Sequence, residues 1–129
     1  MSAEIEALTN EFFAAFARND VQAAADMLSD DLEVIVHVPY RFDNKAQFVE
    51  FLQGAMAGIE SASSGIRQLS CRVFNDSMAV ANGYDTFSAV TKDGQAQAQA
   101  LHGRTTLVFA KEGSQWKIVS CHFSPLPTH

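Results

Sequence analysis

Cysteine and proline are both scarce in this chain, with 2 and 3 residues among 129. Cys71 and Cys121 stand alone, in no C-x-x-C pair, so the chain has neither a disulfide framework nor a thiol-based zinc or redox motif. The single bridge available would join Cys71 to Cys121, both in predicted strands; two reduced thiols is the plainer expectation. Positive charge is also short, with 9 Lys and Arg against 15 Asp and Glu and a formal net charge of −6. The basic residues are scattered, so no stripe exists to neutralise phosphates, and neither nucleic acid nor an anionic membrane is an expected partner. No apolar run approaches the length of a membrane span. Met1-Ser2-Ala3-Glu4 opens an acidic helix rather than a basic-then-apolar leader, which leads to the expectation of a cytoplasmic protein. Phosphate-cradling glycine loops, serine nucleophile elbows and base-stacking motifs are missing as well.

What is present is ordinary for a globular protein: 47% hydrophobic and 19% charged residues, without linkers or repeats. The whole chain, 1–129, reads as one domain able to bury a core without staples. Ten Phe against two Tyr and one Trp predict a greasy core or cavity.

Ile5, Leu8, Phe12 and Phe16 fall at helical spacing and predict a helix over 2–18, with Ser2 as cap and Glu4 and Glu6 at its positive end. Asn19-Asp20 breaks it and caps a short second helix whose face is Val21, Ala24, Ala25 and Leu28. A strand follows over 31–38, ended by Pro39. Asn44, with Gln47 three residues on, predicts a capping box for a third helix. Its stripe is Phe48, Phe51, Leu52, Ala55 and Ile59, and Gly58 with the serine-rich 61–65 is expected to end it. Strands are then predicted over about 66–74, 78–91, 95–111 and 116–124, with turns at Asn75-Asp76, Asp93-Gly94 and Glu112-Gly113. This order argues an α+β fold, with three helices from the N-terminal half packed on a curved antiparallel sheet.

The last two strands carry the chemistry. Arg104, His122 and Ser124 sit where a strand covering a core would be apolar. Period-two alternation groups His122 and Ser124 with Trp116, Ile118 and Ser120, and Arg104 with His102, Thr106 and Val108. If both faces point inward, Arg104 can hold negative charge and His122 can move a proton near neutral pH. The alternative is a structural polar cluster. Tyr84 shares a face with Val80 and Asn82, which favours it inside and turns Asp85 outward. One β-bulge reverses every such assignment beyond it. His37 and Tyr40 flank Pro39 as a further base and hydrogen-bond donor. Convergence of His37, His102 and His122 on a metal has no short-range ligand spacing to support it, so neither metal nor other cofactor is expected.

Gly103-Arg104-x-Thr106, an apolar strand, a glycine turn, and Trp116-x-x-Val119-x-x-His122-x-Ser124 resemble the C-terminal half of nuclear transport factor 2-like domains. The resemblance is to the SnoaL-like branch and the association domain of calcium/calmodulin-dependent kinase II. It implies a cystatin-like cone with a pocket between the sheet and the long helices. The superfamily spans isomerases, cyclases, dehydratases and assembly modules, so fold resemblance names no activity. In its ketosteroid isomerase branch, the base, the helix-one Tyr and the penultimate-strand acid would fall at His37, Phe12 and Thr105 or Thr106. All three have changed, which argues against that reaction.

Two readings follow. The first is a small-molecule pocket protein, open as to catalysis, taking a hydrophobic, anionic or carbonyl-containing ligand without a cofactor. Its residues are His122 and His37 for proton transfer, with Arg104, Tyr84, Ser124, Tyr40, Phe12 and Phe16 around the ligand. The second is a non-catalytic association module. A homodimer through the sheet is expected in either.

Overall fold

A computed structural model of the chain describes residues 2–36, 41–93 and 97–126. Helix α1 (Ser2–Ala17) is followed by α2 (Val21–Asp26), β1 (Leu28–Ile35), β2 (Arg41–Phe42) and α3 (Lys45–Ala57). Four long strands complete it: β3 (Ile59–Phe74), β4 (Met78–Thr91), β5 (Gln97–Glu112) and β6 (Gln115–Pro125). They form one six-stranded sheet in the order β2-β1-β6-β5-β4-β3. Every pairing is antiparallel except β1 with β6, so the expected antiparallel sheet is mixed. The α+β architecture is otherwise the expected one.

The N-terminal stripe packs as its spacing demands. Ile5 and Phe12 are fully buried, Phe13 nearly so, and Leu8 and Phe16 lie partly buried against the same core. Thr9, also fully buried, satisfies its hydroxyl by donating to the Ile5 carbonyl at 2.8 Å. The Phe12 and Phe16 rings meet edge-on at 5.1 Å, a favoured quadrupole arrangement. Asn19 then turns the chain in the left-handed region, at φ 57°. Its side-chain amide donates to the carbonyls of Met56 and Ile59, both at 3.2 Å, which ties the α1–α2 corner to the end of α3. Asp20 caps α2 by accepting from the Ala23 amide.

Asn44 caps α3 by accepting from the Gln47 amide at 3.0 Å. Gln47 reaches back to the Asp43 amide at 2.9 Å, one residue earlier than a standard capping box. Phe48, Leu52 and Met56 are the buried stripe, whereas Phe51 and Ala55 are exposed. Several boundaries move: Leu28 belongs to β1, which ends at Ile35, the two-residue β2 was not expected, and Ile59, placed in the α3 stripe, opens β3 with 61–65 inside it rather than in a loop. Ser61 to Gly65 have weak strand propensity, but β4 supplies their pairing from Val90 back to Thr86. Asn75 and Asp76 both have positive φ in the three-residue loop that closes the β3–β4 hairpin, with the Ser77 amide donating to the Phe74 carbonyl at 3.1 Å. Gly113, at φ 65°, serves the β5–β6 turn. Gly94, at the expected β4–β5 turn, lies outside the described residues; β4 and β5 themselves pair antiparallel.

Register shifts at Arg67/Ser70, Phe87/Ala89 and Val108/Phe109 bend and twist the long strands. The bent sheet gives one face to the helices, with α1 lying across β3 and β4 and α3 against β1. No helix among the described residues packs on the other face. The core lies between helices and sheet: Leu28, Leu32, Val34, Ala79, Ala81, Leu107, Phe109, Ile118 and Cys121 under the helical stripes. Full burial of one such Leu or Phe side chain contributes about 1.5–3 kcal/mol.

Candidate functional site: one acid on the helix-facing side of the sheet

Burial changes along the inner sheet face. At one end Ala79, Ala81, Leu107, Phe109 and Ile118 are completely excluded from solvent. Towards the other end of the same strands, Ile66, Gly83, Asp85, Phe87 and Phe123 are only half-buried, although Gly103, Thr105 and Ala89 among them stay buried. Phe16, near the C-terminal end of α1, is half-buried too. The interior is therefore packed at one end and partly reached by solvent at the other.

Asp85 lies in this opening half. Of the fifteen acidic residues it alone is not exposed. Its backbone pairs with Gly103 on one side and Ile66 on the other. The Thr105 hydroxyl, 2% exposed, donates to Asp85 Oδ1 at 2.9 Å. A carboxylate accepts at several lone pairs, so that bond leaves acceptor capacity for a ligand. Gly103 provides the room. A Cβ there would lie 2.7 Å from Asp85 Oδ1 and 3.0 Å from the Ser124 carbonyl oxygen. Only a residue without a side chain lets the carboxylate fold over β5 to Thr105.

The faces of the sequence-predicted residues come out reversed. Arg104 and His122 are exposed, Tyr84 is 39% exposed, and Ser124 is half-buried, all on the side away from the helices. They stand in neighbouring cross-strand rows. Arg67, Tyr84, Arg104 and Ser124 are in register along one, and Ser70, Asn82, Thr106 and His122 along the next. For β6 the cause is a bulge. Trp116 and Ile118 are buried as alternation requires, but Val108 pairs with Ser120 and Phe109 with Ile118, so Val119 is skipped. Beyond it Cys121 and Phe123 turn inward, and His122 and Ser124 turn out. For β4 the cause is room. The inner positions are Ala79 and Ala81, fully buried, and Gly83, where a Cβ would meet the Ile66 side chain, so the larger Val80 and Tyr84 take the outer face. Asp85, expected outside, is thereby inside. Arg104 donates to the Pro125 carbonyl at 3.5 Å and has no carboxylate partner among the described residues. Phe12 and Phe16 do face the sheet. His37 and Tyr40 lie outside the described residues.

One signal for Asp85 was available in the sequence. Gly83 and Gly103 are the glycines inside β4 and β5, and glycine in a strand marks close approach. At Gly83 a Cβ would meet Ile66 at 2.8 Å.

The thiols take no part in this arrangement. Cys71, Ala81, Leu107 and Cys121 form one cross-strand row, so the two cysteines are three strand spacings apart, about 14 Å, too far for a disulfide. Both are free. Burial, and secondarily Glu6, raises the Cys71 thiol above its ordinary value. Complete burial pushes Cys121 up much further. Neither shift favours a nucleophilic thiolate. Among the described residues no three His, Cys, Asp or Glu side chains gather where they could hold a metal ion. No helix among them is long and apolar enough to cross a membrane.

Residues 5–128 match the model of the SnoaL-like domain family, and the chain belongs to that family. Solved structures agree on the fold. A candidate calcium/calmodulin-dependent protein kinase II association domain from Xanthomonas campestris superposes with a TM-score of 0.82 at 23% identity, covering 98% of this chain and 88% of that one. A candidate scytalone dehydratase from Novosphingobium aromaticivorans gives 0.82 at 13% identity, covering 98% and 83%. A nuclear transport factor 2-like superfamily protein from Salmonella enterica gives 0.80 at 20% identity, covering 99% and 95%. At these identities the likeness establishes the nuclear transport factor 2-like fold alone. No curated protein sequence matches the chain significantly.

Proposed function

We propose that the chain is a small-molecule pocket protein of the cofactor-independent isomerase, cyclase or dehydratase type, with its site between α1 and the opening half of the inner sheet face. The observation that carries this is Asp85, the one acid of fifteen withdrawn from solvent, held by a buried threonine beneath a phenylalanine-rich helix. An unpaired inward carboxylate costs stability, which function would explain. Asp85 accepts a proton or a hydrogen bond from the ligand, Thr105 fixes its orientation, and the half-buried Phe16 and Phe123 form the apolar wall, backed by the buried Phe12. The ligand is hydrophobic and carries a hydroxyl, carbonyl or amine. A fold neighbour described as a candidate dehydratase is consistent with this class of chemistry. Native mass spectrometry of gently purified protein tests the reading. A discrete small molecule that dissociates on denaturation, and is lost in Asp85→Asn, is the expected result. No adduct, even after incubation with mixed steroids, polyketides and aromatic acids, counts against it.

A specific observation also favours self-association. Of the five exposed large hydrophobic residues among those described, Ile35 and Tyr84 lie on the outer sheet face beside His122 and Arg104, and Phe74 and Met78 lie on the same face at the β3–β4 hairpin end. We assign these residues to a homodimer surface rather than to the pocket of their own chain. A monomer at micromolar concentration in sedimentation would remove this assignment.

A further inference from the structure

Charge is sorted between the two faces of the sheet in a way that constrains the ligand. The four long strands carry Arg67, Arg72, Arg104 and Lys117 outward, together with His102 and His122. Arg72 lies over the Phe74 ring at 5.2 Å. Lys117 donates to the Asp26 carbonyl. On the inner face the sole cation is Lys111, at the packed end, with its ammonium 5.3 Å from the centre of the Trp116 ring. It lies eight residues along β5 from Gly103, about 26 Å away. The other basic residues are elsewhere: Arg18 pairs with Glu11, Arg41 with Asp43, Lys45 opens α3, and Lys92 sits in a turn. The opening half of the interior thus presents one carboxylate, the Thr105 hydroxyl already donating to it, the Ser64 hydroxyl in register with Phe87, and aromatic rings, with no cation among the described residues.

The geometry points to a ligand that is cationic or a neutral hydrogen-bond donor, and not an anion. This inference rests on the pocket reading above and adds its charge class. Three effects act together. Asp85 repels a carboxylate or phosphate. Thr105 cannot offset that repulsion, because its proton is already given to Asp85 Oδ1. The half-buried aromatic rings of Phe16 and Phe123 suit a cation better than an anion. An aromatic body carrying an ammonium or hydroxyl group meets every group present. The anionic ligand suggested by Arg104 is not favoured, because that guanidinium points to the opposite side of the sheet.

Three probes of one shape separate the outcomes: 1-naphthylmethylamine, 1-naphthalenemethanol and 1-naphthoic acid, titrated into the full chain near pH 7. Affinity is read by calorimetry, and location by NMR shifts at the Asp85, Thr105 and Phe123 amides. The amine is expected to bind at least about ten-fold more tightly than the acid, the factor set by one charge-assisted hydrogen bond. The alcohol should fall between them. Asp85→Asn, nearly the same shape, should erase the amine's advantage. Naphthoate binding at these amides as tightly as the amine would overturn the charge assignment while leaving the pocket reading standing. A preference surviving Asp85→Asn would overturn it likewise. No binding by any of the three would overturn the pocket reading and this inference together. The wild-type comparison decides the matter even if the variant does not fold.

Discussion

Substituting Gly103 by alanine is a direct test of the Asp85 arrangement. The new Cβ would stand 2.7 Å from Asp85 Oδ1 and 3.0 Å from the Ser124 carbonyl oxygen, both closer than such atoms normally come. The backbone at Gly103 is not left-handed, since the only described glycine with positive φ is Gly113, so conformation itself does not forbid alanine. The side chain that can yield is Asp85. Yielding breaks its 2.9 Å bond from Thr105 and leaves a hydroxyl of 2% exposure without an acceptor. That loss costs about 1–3 kcal/mol. Replacing glycine in a compatible conformation returns about 0.4–1 kcal/mol through the unfolded chain. The net is a destabilisation of about 1–2 kcal/mol. Trp116, the single tryptophan and 7% exposed, reports urea unfolding by its fluorescence. With m near 2 kcal/mol/M, the midpoint should fall by about 0.5–1 M. Gly65→Ala is the control, because nothing lies within 4 Å of a Cβ there; its midpoint should stay level or rise slightly. In an Asp85→Ala background the cost of Gly103→Ala should shrink to the part due to the Ser124 carbonyl. A Gly103→Ala midpoint at or above wild type, or an equal cost with and without Asp85, refutes the argument.

Three further outcomes follow from the structure. Cys121 is held protonated by burial well above its ordinary value of 9.0. The unfolded chain therefore loses that proton first. Stability present below pH 9 should decline as the pH rises above it, by up to about 1.4 kcal/mol per pH unit for one thiol. Urea midpoints from pH 8 to 10 should fall less steeply in Cys121→Ala; equal slopes would show that the thiol does not contribute. Asn19→Ala removes two hydrogen bonds of 3.2 Å and puts alanine at φ 57°, so a loss of about 2–4 kcal/mol is expected. Asn19→Gly should recover the backbone part only, and a thermal scan showing alanine and glycine alike would contradict this. Tyr84→Lys places a third cation between Arg67 and Arg104, its partners in register on the outer face. Self-association in sedimentation velocity should weaken at least about ten-fold with unchanged far-UV circular dichroism. A dimer of unaltered affinity would detach the outer face from association.

Much of the fold was legible in the sequence because it depends on local periods and caps. The Ile5–Phe12 spacing, the Asn19-Asp20 corner, the Asn44 cap and the Asn75-Asp76 turn each settle a short stretch, and each sits where it was expected. The SnoaL-like resemblance rested on a longer pattern of the same kind, from Gly103 to Ser124, and the family match spans residues 5–128. The parallel neighbour of β1 was not legible. The β1–β6 contact joins opposite ends of the chain, and no local pattern encodes it.

The facing of Tyr84, Arg104, His122 and Ser124 was read reversed for a reason that also lies beyond local sequence. Strand alternation says which residues share a side but not which side is inner. That choice depends on what packs against the sheet. Around β4 the crowded inner face admitted Ala79, Ala81 and, against Ile66, Gly83, and Tyr84 took the outer face although it is the larger apolar group. On β6 the bulge at Val119 shifted the alternation by one residue and sent His122 and Ser124 outward. The sequence by itself determined the three helices, five of the six strands, the Asp20 and Asn44 caps, the Asn75-Asp76 turn and the family, but not the two-residue β2. Only the tertiary structure decided that Asp85, not Arg104 or His122, faces the helices, because one unpaired residue and one crowded inner face fix the side for everything beyond them.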